Sequence, residues 1–307
     1  MRDAVLSPEL RAAWDDDGWC VLERAIPGED LAAAQRVLPR LFPTAEEMTS
    51  APDAEDHRRW STWDAQWPEF PFHSSSLNRL AVHDVVIGLA EELLGVEDVR
   101  MYLALITAKY FGQPSGFNQL LHADYPNHTL VVPRRDAGYQ QLETFIYLSD
   151  VTTGDGATRL VSRRKTAAVP VEEHTLNLDD YADLYDDPAD AAAPAGSIVA
   201  YRPDVYHRSV DLTDPGASRF MMHVSYRPAR AEWGGYQAWP FKGFSPEWSK
   251  FVAQATPRQL AVLGFPKPGH PYWTDETLAG VAARYPGLDM TPWHQAHAAS
   301  ASSRSPG

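Results

Sequence analysis

The sequence predicts an antiparallel β sandwich or barrel with helices packed outside it, an α+β or mainly-β domain. Helical patterns dominate to about residue 97, and short β-rich runs between turn signals take over from about 98 to 230. Helices first and strands afterwards are the order of a sheet that carries its helices on the outside, rather than of strands alternating with helices.

The helical part begins near residue 7, where Ser7 can cap a helix, Pro8 suits its first position and Glu9 adds negative charge to its first turn. GWCVLERAI follows as a short strand, and LAAAQRVLPRLF repeats apolar residues at helical spacing. The Trp- and Pro-rich stretch holding Trp60, Trp63 and Trp67 reads as a loop or lid, and a place to look for substrate contacts. LNRLAVHDVVIGLAEELLG reads as one helix ending at Gly95. The strand runs are VRMYLALITAKYF, NQLLHADY, QLETFIYLSDV, ATRLVS, AAVPV, SIVAY and RFMMHVSYR. The acidic stretch NLDDYADLYDDPADAAAPAG among them reads as a solvated surface insertion. SPEWSKFVAQA and DETLAGVAARY are helices in a C-terminal extension over about 231–298. Residues 1–298 therefore read as one domain, and 299–307 as a disordered tail.

Composition narrows the function. Forty-one acidic against 27 basic side chains give a net charge of −14, the wrong sign for following a phosphate backbone, and no basic stripe is interleaved with aromatics. Nucleic acid is excluded as the expected partner. No apolar run reaches the ~20 residues that cross a bilayer, and the first residues lack a basic segment followed by an apolar one, so the cytoplasm is the expected location. With Cys20 alone, there is no internal disulfide and no multi-cysteine metal site.

First-row metals that activate oxygen are often held by two histidines and one carboxylate on one face, with positions left open. His122 and Asp124 in HAD are two apart, so on a strand both point the same way. His207 follows a strand and turn about 80 residues later, Ser209 lies two beyond it, and Arg219 opens the next strand. An arginine in such a pocket can clamp a carboxylate through two parallel charge-assisted bonds. His223, four residues past Arg219, reads as core or pocket wall rather than ligand. The Gly154 to Gly156 segment lacks the spacing of a nucleotide loop.

Taken together, WDDDGWCVLERAIPGEDL, HAD, GDGATRLV and HRSVDLTDPGASR, in that order, resemble the phytanoyl-CoA dioxygenase-like family of 2-oxoglutarate oxygenases over most of residues 7–228. The resemblance implies a double-stranded β-helix, a jelly-roll or cupin-like barrel. It places iron(II) on His122, Asp124 and His207, and the distal carboxylate of 2-oxoglutarate on Arg219. It implies help from Ser209 and Thr158, with Gln119 a weaker candidate. Where the family carries Val-Pro-Gly-Ser-His, this chain reads VSRRKT, with Arg163, Arg164 and Lys165 adding charge. Similar halogenases have a small residue in place of Asp124, so its presence argues against halogenation. The implied reaction is hydroxylation of an unactivated carbon with release of succinate and CO2, the partners being O2 and a small-molecule substrate. Desaturation, epoxidation and ring closure share that chemistry; a catalytically silent barrel and a zinc hydrolase are the readings from other classes. The net negative charge favours a free small molecule, as in specialised metabolism, over a polyanionic coenzyme A thioester.

Overall fold

The computed structural model describes residues 6–51, 67–112, 119–134, 140–235, 239–243 and 245–302; Trp60 and Trp63 lie outside the described residues. Ser7 caps the helix Pro8–Asp17 by accepting a hydrogen bond from the Leu10 amide, and the helix ends at Gly18 with φ 82°. A Cβ at Gly18 would also lie 2.2 Å from the Arg163 side chain, so the left-handed turn and the close approach both demand glycine. The segment expected as one helix over residues 77–95 is two, Ser75–Ala81 and Asp84–Leu94. His83 breaks it: its backbone is extended and its ring accepts from the Val85 amide, capping a new helix.

The strands are β1 (Trp19–Leu22), β2 (Val99–Tyr110), β3 (Leu121–His122), β4 (Leu142–Tyr147), β5 (Arg159–Leu160), β6 (Thr175–Leu176), β7 (Ala189–Asp190), β8 (Ile198–Tyr201), β9 (His207–Arg208) and β10 (Ser218–Pro228). They form two antiparallel five-stranded sheets, a major one ordered β1-β8-β4-β10-β2 and a minor one ordered β6-β3-β9-β5-β7. An α+β fold with flanking helices is thus what the chain builds.

Alternation along the long β2–β10 pair divides the major sheet into two faces. Ile106, Ala108, Met222, Val224 and Tyr226 join the helix Asp84–Leu94 in the main hydrophobic core. Leu103, Leu105, Thr107, Lys109, Arg219, Met221 and His223 line a cavity on the other face. The phase reverses at one point. Ser225 pairs with Leu103 and Tyr226 with Met101, so Tyr102 is an extra residue, a β-bulge. The bulge lets Met101 enter the main core while Leu103 faces the cavity.

The C-terminal extension packs into the same core. Phe70 meets Phe251 and Trp239 edge-on at 4.9 and 5.2 Å between ring centroids. The helix Thr291–Ser302 includes residues 299–302, which the sequence placed in a disordered tail; alanines at 296, 298 and 299 favour the helix, and Ser300 Oγ donates to Ala296 O. Residues 303–307 lie outside the described residues. AAVPV is a pair of turns rather than a strand, since Val169 N bonds to Thr166 O, Glu173 N to Pro170 O, and Pro170 has no amide to give a ladder. The acidic insertion is mostly exposed, yet it supplies β7 and buries Ala191 and Ala193.

Trp293 is 1% exposed, packs on Trp273 at 5.8 Å and donates its indole N–H to Pro266 O. Trp293→Ala should cost about 3–5 kcal/mol in denaturant unfolding, through one transition shared with the sheets. A separate early transition would detach the extension from the core.

Candidate metal centre and its cavity

The two short strands β3 and β9 meet at a single pair, His122 opposite His207, which sets the rings 4.5 Å apart between centroids. Each ring turns Nδ1 to a backbone carbonyl two residues earlier, His122 to Leu120 O at 2.9 Å and His207 to Val205 O at 3.1 Å. With Nδ1–H donating there, each Nε2 is left as the lone-pair nitrogen that a metal takes.

Asp124 does not continue the strand. It has φ −78° and ψ −13° and leads into the short helix Tyr125–His128. That turn still brings Oδ1 to 3.5 Å from His122 Nε2 and Oδ2 to 3.4 Å from His207 Nε2. One ligand atom from each of the three residues lies within 4.8 Å of the other two. Tyr201 donates its hydroxyl to Asp124 Oδ2 at 2.7 Å. Burial opposes ionisation of Asp124, but His207, His128 and His122 together hold its carboxyl well below the usual range. Burial lowers His207 to about 4, so its imidazole is neutral and ready to bind a metal near pH 7. Two imidazoles and one anionic carboxylate on one side of an open space fit a divalent first-row ion, with room for further ligands.

Arg219 and Ser209 lie in the same cavity, of about 550 Å³, as do Thr158, Gln119 and the three clustered residues. Buried Arg219 donates through Nη1 to Gly156 O and through Nη2 to Ser209 Oγ at 3.4 Å, while its Nε has no hydrogen-bond partner. Gln119 and Ser209 exchange backbone and side-chain bonds of 3.1 Å, so Gln119 holds the Ser209 segment in place. Thr158 is 3% exposed at the cavity wall.

Lys109 is a cavity residue that sequence reasoning passed over. It pairs in register with Arg219, and its Nζ donates to Ser209 Oγ at 3.0 Å. Burial, with Arg219 beside it, lowers its ammonium to about 7. Two cations around one hydroxyl fit a carboxylate placed between them. A lysine at an inward position of the apolar run MYLALITAKY was the available signal.

His223 is a wall residue, as expected: Nε2 sits 3.0 Å from Thr107 Oγ1 and the ring lies 4.7 Å from Phe145. Phe145, Leu103, Leu105 and Met221 make the wall largely apolar, and Trp67 and Leu105 also line an adjoining cleft of about 1090 Å³. The VSRRKT loop takes no part in this cavity. Arg163 pairs with Asp204 at 3.0 Å, Arg164 with Asp17 at 3.1 Å and Lys165 with Asp187 at 2.6 Å. Arg163 and Arg164 border a separate hollow of about 280 Å³.

The model of the phytanoyl-CoA dioxygenase family matches residues 14–219. Among solved structures, similarity extends to the epimerase SnoN in complex with Fe3+, alpha ketoglutarate and nogalamycin RO, with 17% identity, 78% of this chain and 89% of that one covered, and a TM-score of 0.53. HygX from Streptomyces hygroscopicus, with nickel, 2-oxoglutarate and hygromycin B bound, gives 15%, 73%, 88% and 0.53 for the same four measures. EctD from S. alaskensis, with 2-oxoglutarate and 5-hydroxyectoine, gives 18%, 75%, 79% and 0.52. At such identities the likeness is one of fold. No curated protein sequence matches the chain.

Tyr201→Phe removes the hydroxyl that orients Asp124 without touching the three clustered side chains. Calorimetric titration with nickel(II) should show near one ion per chain in the parent and an affinity roughly 10–100-fold lower in the variant. Unchanged affinity would show that Tyr201 does not support the centre.

Proposed function

Since the chain belongs to the phytanoyl-CoA dioxygenase family of iron(II)- and 2-oxoglutarate-dependent oxygenases, we propose that it hydroxylates an unactivated carbon of a free small molecule of specialised metabolism, with release of succinate and CO2. The observation that carries this reading is the meeting of His122, Asp124 and His207 in one cavity with the Arg219–Lys109 pair. The first three are the proposed iron ligands. Arg219, Ser209 and Lys109 are the proposed partners of the distal carboxylate of 2-oxoglutarate, with Thr158 beside them. The two sheets facing the cavity support reading the architecture as a double-stranded β-helix, and a main core drawing on residues from Leu6 to Trp293 supports one oxygenase domain over 1–298.

When bound, the iron supplies activation of O2 coupled to decarboxylation of the cosubstrate. The chain's own residues do the positioning. Leu120 and Val205 carbonyls fix the ring tautomers, Tyr201 fixes Asp124, and Arg219 with Lys109 orients a dicarboxylate lengthwise. The apolar wall of Phe145, Leu103, Leu105 and Met221 keeps water from the reacting carbon. Desaturation, epoxidation and ring closure would use the same arrangement, and the substrate's geometry decides among them. No helix among the described residues is long and apolar enough to cross a membrane.

Anaerobic titration of the metal-free protein with iron(II) and then 2-oxoglutarate should give a visible charge-transfer band that saturates near one iron per chain and weakens in Arg219→Gln. Folded protein without the band would overturn the reading. Asp124→Ala should abolish succinate formation; turnover retained at the parent level would remove Asp124 from the ligand set. The affinity for 2-oxoglutarate should fall as pH rises through about 7, because Lys109 is cationic below that value and neutral above it. A bound dianion pulls that midpoint upward. Lys109→Arg, charged throughout, should flatten the profile between pH 6 and 9.

A further inference from the structure

We infer that the end of the cavity opposite Arg219 is an anionic subsite, centred on Glu143, that takes a protonated nitrogen of the substrate. The inference rests on the oxygenase reading and adds a chemical class of substrate to it.

Glu143 lies on β4, opposite Ser225 of β10 and Tyr201 of β8. It is 3% exposed, and it lines the same cavity as the three clustered residues. Tyr102 donates its hydroxyl to Oε1 and Ser225 donates to Oε2. His128 Nδ1 lies 3.3 Å from Oε1, and Gln141 Nε2 donates to the Tyr102 hydroxyl at 3.1 Å. Two hydroxyls donating to both oxygens is an arrangement suited to a carboxylate rather than a carboxylic acid. Among the described residues no lysine or arginine pairs with it.

Hydroxyls satisfy lone pairs without cancelling charge, and apart from the His128 ring no basic side chain among the described residues pairs with this buried carboxylate, so its ionisation is costly. Burial accordingly raises the Glu143 pKa. The cavity's own cations are far away. Arg219 and Ser225 stand six positions apart on β10, roughly 20 Å along an antiparallel strand, and Arg219 and Lys109 are engaged around Ser209. The site is therefore polarised, with cations where a dicarboxylate fits and an anion at the other end. A substrate ammonium or similar cation docked at Glu143 adds the full positive charge that no lysine or arginine of the cavity brings there, and the acidic chain as a whole attracts cations.

The bulge at Tyr102 is the second, independent observation. In regular pleating only one of Tyr102 and Leu103 would face the cavity side. With the extra residue, Leu103 keeps the apolar wall while Tyr102 reaches Glu143. Bulges commonly re-aim a side chain beside an active site.

The test uses the full chain loaded anaerobically with iron(II) and 2-oxoglutarate, whose charge-transfer band reports cofactor binding and reports ligands that approach the iron. Cyclohexylmethylamine and phenethylamine are titrated against cyclohexylmethanol and phenethyl alcohol, near-isosteric pairs that differ in charge. Each ammonium should bind about tenfold or more tightly than its alcohol. In Glu143→Gln that preference should vanish, while a persisting band shows the variant still folded and loaded; Tyr102→Phe should reduce the preference partially. Equal binding of amine and alcohol, no binding of the amines, or a preference that survives in Glu143→Gln would overturn the inference. Loss of the band in the parent protein would instead overturn the oxygenase reading itself.

Discussion

Two-residue strands hold a register poorly, yet the register between β3 and β9 has to be held, because a one-residue slip would turn one of the two imidazoles to the opposite face. Neighbours supply what the strands lack. Leu121 is pinned through its amide by the Tyr185 hydroxyl and pairs with Leu176 of β6, while β9 pairs on its other side with β5. Gln119 and Ser209 extend the pairing beyond the strand ends. The position of Asp124 depends on this frame, and so does its hydrogen bond from Tyr201, which comes from the facing sheet.

Much of this could be read in the sequence because the decisive residues lie close together along the chain or in recognisable company. His122, Asp124, His207, Ser209, Thr158 and Arg219 all reach one cavity. Asp124 lies beside His122, where strand alternation would bring it, but a helical turn rather than a strand puts it there. Tyr201, Lys109, Tyr102 and Glu143 were hidden for a common reason. Each is one polar group inside a run read as apolar strand, and its meaning depends on a partner 39 to 100 residues away. Short-range pattern carries no information about such partners. The helix break at His83 and the turns of AAVPV were missed because capping and proline chemistry overrode apolar periodicity.

The departure of VSRRKT from the family pattern also has a structural account. Its three cations each meet an aspartate, and the aspartates come from three separate places, Asp17 at the end of the first helix, Asp204 after β8 and Asp187 before β7. Such pairs at partly exposed positions contribute modestly to stability. Together they close the loop over Gly18 and away from the cavity, so the altered loop joins the N-terminal helix to the sheets and leaves the chemistry to other residues.

The bulge at Tyr102 ties two parts of the molecule that would otherwise be free to change separately. Met101 on its outer side bonds through its amide to Val262 O and accepts from the Trp239 indole, which anchors the C-terminal extension. Deleting the extra residue would straighten the strand, but either Met101 would leave that anchor or Leu103 and every inward residue after it would exchange faces. A lineage of this enzyme can therefore retune the cavity end by substitution at Tyr102 or Glu143, whereas changing the length of β2 there would have to be matched by rebuilding the C-terminal extension.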